Sequence, residues 1–134
     1  MKIIFSLLVS LSVFGFISCE KAEGPGGTST LAGKVWVKNY DSNFEAVNTE
    51  YWAEDEDVFL MYGNDTIYSD KTSTNFDGSY WFQYLNEGTY TVFVYSDDSS
   101  RVDRSPSGRI PIKETITISK KGSDVIVPTI TILD

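Results

Sequence analysis

Two turn signals, Asp77-Gly78 and Asn86-Glu87-Gly88, bracket the most constraining stretch of this sequence, Thr74 to Tyr95. Glycine accepts positive φ and aspartate tolerates it, so each signal marks a reversal of the chain. Ser79 to Leu85 and Thr89 to Tyr95 then read as two strands. Side chains alternate across a strand. Tyr80, Phe82 and Tyr84 fall on one face of the first, opposite Trp81 and Gln83. Tyr90, Val92 and Val94 fall on one face of the second, opposite Thr91, Phe93 and Tyr95. Tyr80, Phe82, Tyr90, Val92 and Val94 are assigned to the core, with Leu85 closing its end. The two strands are expected to form a hairpin, which leaves Trp81, Phe93 and Tyr95 together on its outward face.

The pattern Asp-Gly-x-Tyr-x-Phe-x-x-Leu-x-x-Gly-x-Tyr-x-Val is matched in full over Asp77 to Val92. It resembles the carboxypeptidase regulatory-like domain and the related B-repeats of bacterial surface adhesins. Ala32-Gly33-Lys34-Val35 is similar to the Gly-x-Val opening of the same family. The resemblance implies an all-β, transthyretin (prealbumin)-like Greek-key β-sandwich of seven to eight strands, used as a scaffold, spacer or binding module without catalytic residues.

The rest of the chain supports strands. Aromatic residues make up 14 % of it, which suits pleated, half-buried surfaces. Leu31 to Val37 reads as the first strand. Lys38 to Ala53 follows as an unusually long polar connection carrying Tyr40, Phe44, Tyr51 and Trp52. Val58 to Tyr62 and Thr66 to Thr74, the latter bent near Ser69-Asp70, precede the central pair. Arg109 to Ser119 alternates through Ile110, Ile112, Ile116 and Ile118. Val125 to Leu133 closes the domain, and Pro128 within it marks an edge position or a bulge. Short strands with regular turns are the signature of a sandwich.

Composition closes off several function classes. The chain has no histidine and a single cysteine, Cys19. Histidine triads, zinc-finger sites, CxxC redox pairs and intrachain disulfides are excluded. A net charge of −8 repels phosphate backbones, so no nucleic-acid partner is expected. With 134 residues there is room for one domain.

Residues 1–18 read as a targeting segment. Lys2 supplies the positive start, and Ile3 to Phe16 is apolar but short of the ~20 residues a membrane span needs. Phe16-Ile17-Ser18-Cys19 resembles a bacterial lipobox, with Phe where the pattern prefers Leu. The resemblance implies a lipoprotein signal peptide, cleavage before Cys19, and diacylglyceryl and palmitate-type acylation of Cys19. Several acyl chains give stable anchoring where one is marginal. The place implied is the cell envelope, at the outer membrane of a Gram-negative bacterium. The charged run Glu20-Lys21-Ala22-Glu23 resembles surface-export tethers. Residues 19–30 are expected as lipidated cysteine and flexible linker, and residues 31–134 as the sandwich.

Four sites carry candidate chemistry. Asp41, Asn43, Glu45 and Glu50 alternate oxygen ligands in the 38–53 connection, as calcium requires, and the adhesin B-repeats have a similar acidic loop; a solvated polar loop is the alternative. Glu54 to Asp57 could hold a cation, but adjacent strand residues point apart, and protection of a strand edge fits better. Trp81, Phe93 and Tyr95 could stack on sugar rings or anchor a protein, unless Tyr51 and Trp52 of the long connection cover them. A Lys34 isopeptide crosslink, known from adhesin domains, needs an asparagine that Val125–Leu133 lacks. The expected function is a non-enzymatic, lipid-anchored structural or binding module. The alternatives are a glycan- or protein-recognising accessory lipoprotein and a small glycan-acting hydrolase built on a carboxylate pair.

Overall fold

A computed structural model describes residues 22–134. The leader and Cys19 lie outside the described residues. Nine strands and no helix are found among those described, arranged in two sheets. They are β1 (Pro25–Tyr40), β2 (Val47–Trp52), β3 (Asp57–Tyr62), β4 (Asp70–Ser73), β5 (Ser79–Leu85), β6 (Gly88–Asp97), β7 (Arg109–Ile118), β8 (Asp124–Ile126) and β9 (Ile130–Leu133).

β1 is the axis of sheet 1. On one edge it pairs antiparallel with β5 along its first half and with β2 along its second. On the other edge it pairs parallel with β8 and then β9. Pro128 lies between β8 and β9, and its missing N–H is consistent with the break in that edge strand. Sheet 2 is antiparallel in the order β4-β3-β6-β7. The inner faces meet in one core containing Leu31, Val35, Val58, Leu60, Tyr80, Phe82, Leu85, Tyr90, Val92, Val94, Ile118 and Ile130. The core positions expected from alternation in β5 and β6 are all buried.

Four expectations need correction. First, β5 and β6 are not a hairpin: β5 pairs with β1, whereas β6 pairs with β3 and β7. The Asn86-Glu87 connection carries the chain from one sheet to the other. Tyr84 has a left-handed backbone (φ 60°), which breaks the alternation: Tyr84 turns out to 69 % exposure and Leu85 turns in. Second, the 38–53 connection is not all loop, because Val47–Trp52 forms β2 on the edge of β1. Third, β3 is an interior strand, paired on both sides, so Glu54 to Asp57 guard no free edge of it. Fourth, the fold begins before Leu31. β1 starts at Pro25, Ser29 is buried, and Thr30 N–H donates to Ser123 O at 2.9 Å.

The N-terminal segment is fastened by Tyr90. Its hydroxyl donates to Asn86 O at 2.7 Å and accepts from Gly24 N–H at 2.9 Å. A tyrosine at the start of a strand, bonding back to the corner before it, is a recurrent tie in sandwiches. At the Asp77-Gly78 turn the expectation holds. Gly78 has φ 78°, and a Cβ there would lie 2.8 Å from Val35 O, so glycine is required twice over.

Candidate binding face

The outer face of sheet 1 collects all three tryptophans of the chain, Trp36, Trp52 and Trp81. Strand alternation puts them there. Leu31, Val35 and Val37 point inward from β1, so Ala32, Lys34, Trp36 and Lys38 point outward. Pairing registers then line up their neighbours. Trp81, Ala32 and Ile126 form one row across β5, β1 and β8. Lys34 faces Ser79 in the next row, and Trp52, Trp36 and Thr131 form the row beyond.

The Trp81 row is shaped as a slot. Ala32 is a low floor, and Trp81 (49 % exposed) and Ile126 (71 % exposed) rise on either side. Two strand spacings put the walls about 10 Å apart at the backbone. Polar groups stand at both ends, Lys34, Asp77 and Ser79 at one and Thr30, Gln83 and Asp124 at the other. No other ring packs on Trp81 among the described residues.

The second row is less open. Trp36 and Trp52 meet edge to face at 4.7 Å, and the Lys34 ammonium sits 4.5 Å from the Trp52 ring centre. Trp36 Nε1–H donates to Glu50 at 3.2 Å, and Glu50 also pairs with Lys38 at 3.8 Å. Lys34 reaches Asp77 at 4.0 Å. Two hydrogen bonds from Ser79, first its hydroxyl and then its N–H, hold the Asp77 carboxyl below its ordinary range. Lys34 and Asp77 therefore present opposite charges between two aromatic rows.

The expected trio of Trp81, Phe93 and Tyr95 does not form one face. Trp81 lies outside sheet 1, and Phe93 and Tyr95 lie outside sheet 2. Phe93 is only 6 % exposed, stacked on Phe59 at 5.0 Å. Tyr68, from the β3–β4 connection, packs on Phe59 at 4.8 Å, and Tyr51 and Trp52 are on the opposite sheet.

The calcium candidates do not converge. Asp41 accepts Glu45 N–H at 2.8 Å, which holds its carboxyl below the usual range. Glu45 pairs with Arg101 at 3.2 Å, and Glu50 is committed to Lys38 and Trp36 on the strand face. No group of three carboxylate or thiol side chains among the described residues is placed to hold a metal. Asn43, Glu45 and Arg101 instead help line an open polar cleft of about 500 Å³ between loops 41–46 and 98–105, together with Phe44, Asp98 and Arg104.

A smaller cleft of about 240 Å³ is lined by three carboxylates, Glu54, Glu56 and Asp134, with Tyr51 and Arg109. Burial pushes the Glu56 carboxyl up, and Arg109, 3.9 Å away, pulls it back. Glu56 and Arg109 form an ion pair at the edge of this cleft.

As parts of one binding face, Lys34, Trp36, Trp52 and Ile126 were not expected from the sequence, which offered Lys34 only for a crosslink and Trp52 only as a cover for other rings. The alternation of β1 carries the signal for the first two. Ile126 joins the site only because β8 pairs beside β1, which no local pattern records.

No protein-family model matches the chain, and no curated protein is similar to it. Among solved structures, a candidate carbohydrate-binding protein from Pseudomonas aeruginosa aligns with a TM-score of 0.49 and 15 % identity, over 80 % of this chain and 92 % of that one. An (S)-allantoin synthase aligns with a TM-score of 0.38 and 18 % identity, over 78 % of this chain and 42 % of that one. At overlaps this low, neither neighbour bears on what this chain does.

Proposed function

We propose that this protein is a non-enzymatic, lipid-anchored module of the cell envelope that binds a pyranose-containing glycan on the outer face of sheet 1. The observation that carries the reading is the Trp81–Ala32–Ile126 slot. A sugar ring has apolar C–H faces and a rim of hydroxyls. The slot has two apolar walls and polar groups at its ends, so it matches both parts of the ring. An exposed aromatic face in such a setting is a recognition element, whereas singly scattered apolar residues need no explanation. Lipobox-like residues Phe16 to Cys19 support attachment to the outer membrane, and the Asp77-to-Val92 pattern supports the carboxypeptidase regulatory-like family.

Titration of the protein with neutral oligosaccharides, followed by tryptophan fluorescence, tests the binding. Saturable change that disappears in Trp81→Ala supports it. Saturation that survives Trp81→Ala moves the site elsewhere, and silence across a broad glycan panel ends the carbohydrate reading. Mass spectrometry of the mature protein tests the anchor: Cys19 should carry acyl chains, and Cys19→Ser should leave the membrane fraction.

A second reading rests on β2. Every residue of β2 is exposed and no strand among the described residues pairs with its outer edge, as strand addition by a protein partner requires. Binding that depends on β2 and is indifferent to Trp81 would favour it.

A further inference from the structure

The residues just after the expected anchor are bound to one end of the sandwich. Asn86 Nδ2 donates to Ala22 O at 3.2 Å and to Pro25 O at 3.1 Å, and Asn86 N–H donates to Gly24 O at 2.9 Å. Gly24 N–H is held by the Tyr90 hydroxyl in a buried bond. The Glu23 side chain lies over Gly63 and Gly88 and accepts from Thr89 N–H at 3.5 Å. The turn of residues 119–123 belongs to the same end, through Ser29 Oγ to Lys120 O at 3.3 Å and Thr30 N–H to Ser123 O at 2.9 Å.

Loops 41–46 and 98–108 occupy the other end. They are joined there by Arg101 and Glu45, and β1 runs the whole distance between the ends. From Cys19 to Ala22 there are three residue steps, which reach at most about 11 Å. Pro25 and Ser29 both face Leu85, so the length of β1 is set by the run from Ser29 to Tyr40, about 36 Å. The tether is thus much shorter than the domain, and it is attached at one end of it.

We infer that the acylated protein stands on the bilayer through the end formed by the turns at 63–65, 86–87 and 119–123, with loops 41–46 and 98–108 held away from the membrane. This rests on Cys19 being acylated. Charge is not what orients it. Lys120 and Lys121 at this end are countered by Asp65, Glu87 and Asp124, so the short tether sets the geometry. Ala32 faces Trp81, four residues along β5 from the Leu85 that Pro25 faces, so the slot opens sideways about 13 Å from this end. The polar cleft between Phe44 and Arg104 faces outward at the tip.

The test uses the acylated protein in phosphatidylethanolamine–phosphatidylglycerol vesicles. Cys19 is the only cysteine and its thiol is consumed by the lipid, so Glu87→Cys and Val102→Cys each give a unique labelling site. Both positions are exposed, which spares the fold. Energy transfer from the label to acceptor lipids in the headgroup plane should be near complete at position 87 and severalfold weaker at position 102. Lys121→Cys should behave like position 87. Equal transfer at 87 and 102, or stronger transfer at 102, overturns the inference while the anchor, verified by the acyl mass on Cys19, stands. An unacylated Cys19 with protein free of the vesicles overturns both.

Discussion

The two outer faces of this sandwich hold similar numbers of aromatic rings and use them in opposite ways. Outside sheet 2, Phe59, Phe93, Tyr68 and Tyr95 pack on one another at centroid distances of 4.8 to 5.6 Å. Outside sheet 1, Trp36 and Trp52 satisfy each other, but Trp81 meets no other ring among the described residues and stands beside an alanine floor. Rings that pack against rings stabilise the fold. A large ring with nothing on its face, opposite a second apolar wall, is available to something else. Aromatic content therefore says little about recognition until the partners of each ring are known.

Paired substitutions separate the two roles. Phe93→Ala removes a buried ring from the stacked cluster and should cost about 3 kcal/mol of stability by denaturant unfolding. It should leave glycan binding unchanged at temperatures where the variant is folded. Trp81→Ala should cost less than about 1 kcal/mol, since half its ring is already in water, yet lower glycan affinity at least about tenfold, or 1.4 kcal/mol. If Trp81→Ala destabilises as much as Phe93→Ala, the contrast between the faces is false and Trp81 is a structural residue.

The inner side of sheet 1 sharpens the contrast, because it has no room to spare. A Cβ on Gly33 would sit 2.5 Å from the Tyr80 hydroxyl. Gly33→Ala should therefore cost about 1–3 kcal/mol through overpacking. That hydroxyl is buried without a hydrogen-bond partner among the described residues, and burial, helped by the charge of Glu114, pushes its pKa above the ordinary tyrosine range. Tyr80→Phe removes an unsatisfied group and should be neutral or stabilising by about 1 kcal/mol. It should also soften, without abolishing, the Gly33→Ala penalty in a double-mutant cycle, because it takes away the nearest clashing atom and leaves the ring carbon Cζ at 2.8 Å. Additive effects would mean that the backbone, not the hydroxyl, absorbs the strain.

The sequence made the contents of each face legible but not the pairing of the faces. Inward positions Tyr80, Phe82, Tyr90, Val92 and Val94 follow from alternation, which is local. So do the turn at Gly78 and the interruption at Pro128. Sheet membership is not local. A two-residue connection at Asn86-Glu87 looks like a hairpin loop, and nothing in those residues announces a crossing between sheets. The crossing depends on the left-handed Tyr84 and on Gly24 and Pro25 docking from sixty residues away. Once β5 and β6 are separated, the expected Trp81–Phe93–Tyr95 face divides, and Trp81 acquires Ala32 and Ile126 as neighbours. The calcium loop failed for a related reason. Alternate oxygens in a line are ligands only if they converge: β2 carries Glu50 off along the sheet, and within the 41–46 turn Asp41 caps Glu45 N–H while Glu45 pairs with Arg101.

The smallest effect expected is local and concerns the tip of the molecule, where the cleft between the loops is held open by a carboxylate. Asp98 accepts N–H bonds from Ser105 at 2.6 Å and Ser100 at 2.9 Å, and these hold its carboxyl below the ordinary aspartate range. The folded pKa is therefore lower than the unfolded value of about 3.9, so this stabilisation is fully present above about pH 4 and is lost as pH falls through the lower folded value. Acid should loosen residues 98–108 without melting the sheets, whose buried strands contain no carboxylate in the shared core cluster. The amide protons of Ser100 and Ser105 should exchange faster and shift together as Asp98 protonates, while amides of β1 and β6 stay protected. Asp98→Asn should show the loosened loop at neutral pH and no further change in acid. If the Ser105 amide is indifferent to both acid and Asp98→Asn, the loop is held by something other than this carboxylate. The contact across the cleft would then rest on Arg101, which reaches Glu45 and Asn43 O, a surface contact that salt should weaken.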